Sequence, residues 1–342
     1  MTRYTLREIS EKAGVSISTV SRVLSGKGLV SDDARLKVHS AIEELRQGAQ
    51  MSVPSPLTGG LIGFFIPAPM SYIPTQTVVN QTLTEAIRTH AQRHGCNLIF
   101  STWSAGSGPA TPGDKLLKEN RLSGAVFART RLGDEQHLKK AASSLKAPVV
   151  MINRLFQIEG LMCVGVKHEQ VGQLAAQHLM KLGHTAIAMI GGPQDTQSFA
   201  GRAKGFLDEL RGAGLEPRPE WTVTPHLDPD VVRQALVPIL DEDERPTAIF
   251  AGNDRMALVV LQEAQKRGIS VPTDLSVIGV DGLIESELAI PALTTISMPW
   301  ADMGRLAVDL IAQYAVCPHI NSATLTLDVS LIERESTAPP GG

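Results

Sequence analysis

The chain has 342 residues, 43% of them hydrophobic and 20% charged, with a formal net charge of −3. That length suits a small domain plus a larger body, and the hydrophobic share excludes a largely disordered chain. The overall charge does not advertise a nucleic-acid binder, but it is uneven: residues 1–50 carry 8 Lys+Arg and 6 Asp+Glu, the remainder 24 and 29, a mildly basic head on an acidic body.

Residues 5–24 predict two short helices joined by a tight turn. Leu6, Ile9, Ala13, Val15, Val20 and Val23 are the apolar positions. Gly14 can turn the chain sharply, and Ser16 is a helix N-cap. This is the layout of a helix-turn-helix. Its second helix, Ser16 to Leu24, presents Ile17, Ser18, Ser21 and Arg22 on one side, a set able to read a major-groove floor. An ordinary helical hairpin with a solvated polar face is the competing reading. Ser31 then caps a third helix that runs through Ala34, Leu36, Val38, Ala41, Ile42 and Leu45. The head, residues 1–46, resembles the DNA-binding head of the LacI/GalR family of bacterial transcription regulators. The resemblance lies in Thr5-Leu6, Ile9, Ala13-Gly14-Val15-Ser16, Thr19 to Leu24, Val30-Ser31, Arg35, Val38 and Ala41 to Leu45. It implies DNA contacts from Thr5, Ser16, Ile17, Ser18, Thr19, Ser21, Arg22 and Ser31.

Residues 47–60 form a linker that departs from the family pattern. Most relatives carry a short hinge helix here, and in the DNA-bound dimer a pair of such helices pushes leucines into the minor groove. Pro54 and Pro56 remove backbone donors and push Val53 and Ser55 out of the helical region. Met51, Val53 or Leu57 are candidates for an apolar wedge; a plain flexible linker is the preferred reading.

From residue 61 the chain alternates strand and helix. Strands are predicted at 61–66, 97–100, 124–128 and 148–152, then at 186–190, 221–224, 248–251 and 276–280, with helices between, including 76–94 and 113–122. Such alternation argues for two α/β lobes with parallel sheets. Family motifs recur along this body: His168-Glu169-Gln170, Leu182-Gly183-His184, Ile190-Gly191-Gly192-Pro193, Arg202 to Phe206, Asn253 to Ala257, Val277 to Asp281 and Pro291 to Ile296. The resemblance implies a type I periplasmic-binding-protein-like body over residues 61–342. It gives an N-lobe of about 61–154 plus 293–319 and a C-lobe of about 163–284 plus 322–335, closed by a late strand from Thr324 to Ile332.

In open parallel sheets, ligands bind at the carboxyl ends of strands. Asn153, Asn253 and Asp281 each follow a predicted strand, and Arg202 opens a helix after a Gly-Pro turn. The resemblance implies that Arg202, Asn253 and Asp281 hold a small-molecule effector; paired donors and acceptors of this kind suit vicinal hydroxyls. Asp254 reads as a helix cap. Tyr72, Trp103, Phe199 and Trp300 are candidates to stack on a sugar face or base, and Trp221 reads as core. Arg129 and Arg131 read as a solvated loop, with anion recognition the alternative.

Cys96, Cys163 and Cys317 are far apart, odd in number and without CxxC spacing, so buried free thiols are expected and no metal site or disulfide. No catalytic motif is present, His168 and His184 read as structural, and no cofactor is expected. No run approaches 18 apolar residues, so the expectation is a cytoplasmic, membrane-free regulator, not an enzyme. It is expected to bind a near-palindromic operator in double-stranded DNA as a homodimer, and to answer a sugar or sugar derivative, or next a nucleoside or purine. A small-molecule binding protein without DNA function is the alternative.

Overall fold

The computed structural model describes residues 5–25, 30–31, 34–35, 37–38, 40–41, 55–68, 77–104, 110–156, 158–242, 244–320 and 322–341. The chain divides into two units, Met1–Thr58 and Gly59–Gly342.

In the first unit, helix α1 (Leu6–Ala13) starts at a capping box. Thr5 Oγ1 accepts from Glu8 N at 3.3 Å, and Glu8 Oε2 accepts from Thr5 N at 2.7 Å. This satisfies two donors that a helix start leaves open. Gly14, at φ 64°, ends the helix in the left-handed region. Helix α2 (Ile17–Ser25) follows after two residues. Ser31 Oγ lies 3.4 Å from Ala34 N, and the described residues between 34 and 41 are helical. Ile9, Val20 and Val38 form the core, with Ala13, Val15 and Val23 against it. Each large apolar side chain buried there contributes about 1.5–3 kcal/mol. Ile42, Leu45 and the linker from Gln47 to Pro54 lie outside the described residues, so the expectations placed on Met51 and Val53 do too.

The second unit holds two six-stranded sheets among the described residues. The strands are β1 (Leu61–Ala68), β2 (Asn97–Ser104), β3 (Gly124–Ala128), β4 (Val149–Ile152), β5 (Leu161–Gly165), β6 (Ile187–Ile190), β7 (Thr222–Val223), β8 (Ala248–Ala251), β9 (Ser276–Asp281), β10 (Thr294–Ser297), β11 (Ala323–Thr326) and β12 (Ser330–Ile332). The first sheet is ordered β11-β5-β4-β3-β1-β2, the second β12-β10-β9-β8-β6-β7. All pairs are parallel except β10 with β12. The central strands β3, β4, β8 and β9 are buried throughout, as strands covered by helices on both faces must be.

Three expectations about the lobes need correction. Leu161–Gly165 is a strand of the first sheet, with Met151 opposite Cys163; its unbroken apolar run suits a central position. Thr294–Ser297 belongs to the second sheet beside β9. The late strand is two: β11 joins the first sheet and β12 the second. The chain therefore crosses between lobes at residues 166–167, 298–299 and 327–329. Helix Trp300–Val316 packs on helix Thr77–Arg93 and on the first sheet, within the N-lobe. Trp103 lies inside β2, not in a loop after it, and its ring meets Phe127 edge-on at 5.0 Å in the core. Cys96 and Cys163 are buried free thiols, but Cys317 is exposed at the end of a helix.

Two glycines let a pair of second-lobe helices pack closely. Helices His168–Lys181 and Gln197–Gly212 touch backbone to backbone. A Cβ on Gly172 would sit 2.0 Å from Arg202 O, and one on Gly205 would sit 2.0 Å from Glu169 O. Only glycine permits that approach, and it brings the backbone of Arg202 against helix His168–Lys181. The C-terminal segment is stitched to the second lobe: Val277 N donates to Ser336 O at 2.7 Å, and Ser336 Oγ donates to Val277 O at 2.6 Å. His184 and Trp221 are structural, as expected. His184 bonds Thr247 Oγ1 at 2.9 Å and Ala338 O at 2.9 Å, and Trp221 is a buried core residue.

Candidate functional site

The carboxyl ends of both sheets face one cavity. Asn153, Phe199, Arg202, Asn253, Asp281 and Trp300, all expected from sequence, line it together. Tyr72 lies outside the described residues. Trp103, Trp221 and Asp254 are not among the lining residues.

Arg202 is 2% exposed. One terminal nitrogen donates to Gly252 O at 2.6 Å, and the other lies 3.4 Å from Asp281 Oδ1. Burial raises the Asp281 carboxyl to about 7; Arg202 and Arg129 oppose the shift and Asp254 adds to it. Asp281 is therefore poised between acceptor and donor at neutral pH, which suits a hydroxyl partner of either sense. His168 is buried and feels the charge of Arg202. Burial, helped by the charge of Arg202, lowers its pKa to about 3, so its ring is neutral; its Nε2 is 3.2 Å from Asn153 O.

Asn253 caps helix Asp254–Lys266: its Oδ1 accepts from Met256 N at 2.9 Å. It is both a cap and a cavity wall. Asp254 has a different task. Its carboxylate accepts from Leu283 N at 2.9 Å, Ser286 Oγ at 2.7 Å and Thr295 Oγ1 at 2.5 Å, holding the segment after β9 to β10. Asn153 Oδ1, Arg202 Nε and Trp300 Nε1 are buried with no hydrogen-bond partner among the described residues. Buried polar atoms are nearly always satisfied, so these three mark where a polar ligand would be held. Phe199 adds an aromatic wall, its ring 5.5 Å from the Arg202 guanidinium.

Three of the four non-glycine residues at positive φ among the described residues stand at the same strand ends; the fourth, Asn120, caps a helix. Arg129 (φ 61°), Asn153 (φ 61°) and Asp281 (φ 132°) adopt positive φ without being glycine, a strain that gathers at functional sites. Arg129 and Arg131 both line the cavity; Arg129 is half-buried, and Arg131 stands on a solvated loop as expected, its side chain 44% exposed. Arg129 Nε donates to Asn80 Oδ1 at 2.8 Å. Arg154 is buried, donates to Thr130 Oγ1 at 2.9 Å and Arg131 O at 2.6 Å, and pairs with Glu135. Sequence reading missed Thr130, Arg154, Asp195, Thr196, Ser198 and His226 on the walls. The rule of strand carboxyl ends points to Thr130 and Arg154, each two residues past a predicted strand. Thr196 carried a second signal, as the cap that faces Phe199 N at 3.4 Å.

The lobes are tied across the cavity mouth. Leu132 N donates to Asp195 O at 2.7 Å. Leu155 and Gln197 exchange two hydrogen bonds, each of 2.7 Å, between backbone and side-chain amide.

In the first unit, Ser16, Ile17, Ser18, Ser21 and Arg22 are exposed on or beside α2, and Ile17 is 48% exposed. Ser16 Oγ accepts from Thr19 N at 3.1 Å and lies 2.8 Å from Ser18 Oγ. Thr5 and Ser31 serve as helix caps. Leu57 is 4% exposed in a turn where Thr58 N donates to Ser55 O. A minor-groove wedge must be exposed, so this arrangement does not present Leu57 as one.

Residues 5–46 match the family described as bacterial regulatory proteins, lacI family, and residues 176–337 match a periplasmic binding protein-like domain. The chain is 30% identical over 344 residues to the HTH-type transcriptional regulator DegA of Bacillus subtilis (strain 168), covering 98% of this chain and 99% of that protein. It is 29% identical over 341 residues to catabolite control protein A of Priestia megaterium, covering 97% and 99%. Among solved structures it resembles the transcriptional regulator CelR in complex with cellobiose, with TM-score 0.72, 25% identity, and coverage of 98% of this chain and 100% of that one. The lac repressor dimer bound to operator and the anti-inducer ONPF gives TM-score 0.68, 27% identity, and coverage of 98% and 100%. No helix of the described residues is long and apolar enough to cross a membrane. With a matching head, a matching body and a relative of this identity along almost its whole length, the chain belongs to the LacI family: it is a DNA-binding transcription regulator with an effector-binding domain.

Proposed function

We propose that the protein is a cytoplasmic, homodimeric repressor whose operator affinity is set by a small hydroxylated effector, a sugar or sugar derivative, held between the lobes. The observation that carries this reading is the convergence of Arg202, Asp281, Asn153 and Asn253 with Phe199 and Trp300 around one cavity. Alternating donors and acceptors address hydroxyls, and aromatic rings address the apolar face of a sugar ring. A nucleoside ranks next, since the same rings can stack on a base. The relative bound to cellobiose supports the first choice.

The expected contacts to DNA are Ile17, Ser18, Ser21 and Arg22 at base edges, with Thr5, Ser16, Thr19 and Ser31 at the backbone. One small head offers few contacts, so two heads reading a near-palindrome are expected. Ile284, Leu288 and Ile290 are exposed apolar residues close in sequence on the second lobe, a surface suited to a second copy. The relative solved as a dimer on its operator supports this.

The test is an electrophoretic shift with DNA from upstream of the protein's own gene, repeated with sugars and nucleosides. A specific shift altered by one of these ligands is expected. A chain that binds no DNA specifically, or whose DNA binding no such ligand alters, would overturn the reading.

A further inference from the structure

We propose that the N-lobe carries a binding site for a divalent transition-metal ion of the zinc class, formed by His90, His94 and Asp309. The site is separate from the effector cavity, whose lining includes none of the three.

Among the described residues, these three are the one group of metal-ligating side chains whose ligand atoms lie within 4.8 Å of one another. His90 lies in the last turn of helix Thr77–Arg93, and His94 in the turn that follows it. Residues four apart stand on one face of a helix, and a histidine pair at this spacing is the two-point grip that a helix offers to zinc. Asp309 comes from helix Trp300–Val316, 219 positions along the chain from His90. Cysteine spacing shows no sign of such a site, because its third ligand is brought up only by the packing of two helices. Gly304 permits that packing. A Cβ there would lie 2.9 Å from Ala86 Cβ and 3.3 Å from Leu83 O, so the helices touch closely between one and two turns before Asp309.

The distances suit an ion. His90 Nε2 is 2.6 Å from Asp309 Oδ1, and His94 Nε2 is 3.7 Å from the same oxygen. Nitrogen and oxygen ligands of a tetrahedral zinc, each roughly 2.0–2.2 Å from it, stand about 3.3–3.6 Å apart. The His94 contact already has nearly that spacing. The His90 contact is a hydrogen bond and lengthens by roughly 0.7 Å as the ion replaces the proton between the two atoms. With a neutral ring, that proton moves to Nδ1, and both Nε2 and Oδ1 turn to the metal. Arg305 Nη1 lies 3.3 Å from the other carboxylate oxygen, Oδ2, and Arg305 is itself paired with Asp302. It leaves Oδ1 to the histidines and orients the carboxylate, as outer-shell partners of metal ligands do.

His90 is buried, while the side chains of His94 and Asp309 are 25% and 39% exposed, so an ion can enter and water can complete its shell. Two imidazoles with one carboxylate suit Zn²⁺, Co²⁺ or Ni²⁺; Mg²⁺ and Ca²⁺ favour oxygen ligands alone. The ion staples the two helices together. Val79 and Leu83 on the first and Trp300 on the second line the effector cavity, so the staple stiffens one of its walls.

The experiment uses the full chain, free of any histidine tag and stripped with a chelator, with zinc chloride as the probe and magnesium chloride as the comparison. Calorimetry should show one Zn²⁺ bound per chain, and Zn²⁺ but not Mg²⁺ should raise the melting temperature. Co²⁺ should give visible absorption bands that excess Zn²⁺ removes. In His94→Gln and in Asp309→Asn the zinc affinity should fall by about 100-fold or more, past the loss that follows removal of an outer-shell partner. His94 is the more exposed of the two histidines, so His94→Gln keeps the test in force if Asp309→Asn does not fold, and circular dichroism checks both. No saturable Zn²⁺ binding to the wild type would overturn the proposal. So would an affinity unchanged in His94→Gln, or one lost in Cys317→Ser instead.

Discussion

Arg131 Nε and Asp195 Oδ2 lie 3.5 Å apart across the mouth of the cleft, one on the loop after β3 and the other on the turn after β6. They join the lobes, but both side chains are well exposed, at 44% and 52%. An exposed pair of this kind contributes roughly 0–1 kcal/mol. The exchange between Leu155 and Gln197 is a different matter, with two hydrogen bonds to a half-buried amide. Each such bond is worth about 0.5–1.5 kcal/mol. Asp195→Ala should therefore leave the closed arrangement nearly unchanged, because the bond from Leu132 N to the Asp195 carbonyl remains. Gln197→Ala should open the lobes and weaken effector binding by roughly tenfold. Small-angle scattering of ligand-free protein checks this; equal radii of gyration for Gln197→Ala and wild type would show that the strap holds nothing.

Arg202→Ala should abolish the effector response while leaving basal operator affinity in place. The sensor loses its buried guanidinium, and the capped head does not depend on it. Operator titrations with and without effector give the answer, with circular dichroism to confirm folding. A variant that still responds fully would remove Arg202 from the effector contacts.

Asp281 makes stability depend on pH in a direction unusual for an acid. Its folded pKa is near 7, against about 3.9 for an unfolded aspartate. Between those values the folded chain keeps a proton that the unfolded chain has lost. This contribution is fully present below about pH 4 and is lost as pH rises to about 7. One pH unit corresponds to about 1.4 kcal/mol, so the loss is bounded at about 4 kcal/mol. Melting temperatures of wild type should fall more between about pH 5 and pH 8 than those of Asp281→Asn. Parallel curves for the two proteins would contradict this.

Asp309 behaves oppositely. Burial alone would raise its carboxyl, but hydrogen bonds from His90 and His94, with the charges of His90 and Arg305, outweigh burial and hold it well below the usual carboxylate range. His90 Nε2 is 2.6 Å from Asp309 Oδ1. Stability from this group is present above the unfolded value of about 4 and is lost as pH falls through the lower folded value. Asp309→Asn should lower stability at neutral pH and flatten the acid limb of unfolding. Unchanged urea midpoints at pH 7 would show that the His90 contact contributes nothing.

Arg22→Ala should weaken operator binding without altering the fold, because Arg22 is exposed near the end of α2. Loss of a bidentate contact to guanine costs about 1–3 kcal/mol of discrimination. Shift assays against operators changed one base at a time would locate the contact; normal affinity and specificity would mean that α2 enters the groove in another orientation.

Much of this was legible in the sequence. The capping signal at Thr5 and Glu8, the glycine turn at Gly14 and the apolar spacing of Ile9, Val20 and Val38 act locally, so residues near in sequence declare them. The strand ends at Asn153, Asn253 and Asp281 were equally plain. Assignment of strands to lobes was not. β5, β10 and β11 are short, and which sheet they join depends on long-range pairing that no local period encodes. Trp103 was misplaced because β2 runs on past its apolar segment, to Ser104. Arg129 and Arg131 carry no periodic signal, and their place just past β3 left a solvated loop and the cleft as alternatives; Arg154 had no signal of its own, and the fold makes all three lining residues.

The positive φ angles of Arg129, Asn153 and Asp281 bear on how this regulator can diverge. Backbone of that kind excludes β-branched side chains, so a duplicate gene in search of a new signal finds few acceptable changes at these three strand ends. Ser198, on ordinary backbone around the same cavity, carries no such constraint. New ligand preferences should arise there first, while the three strained positions persist as a fixed frame around which recognition is rewritten.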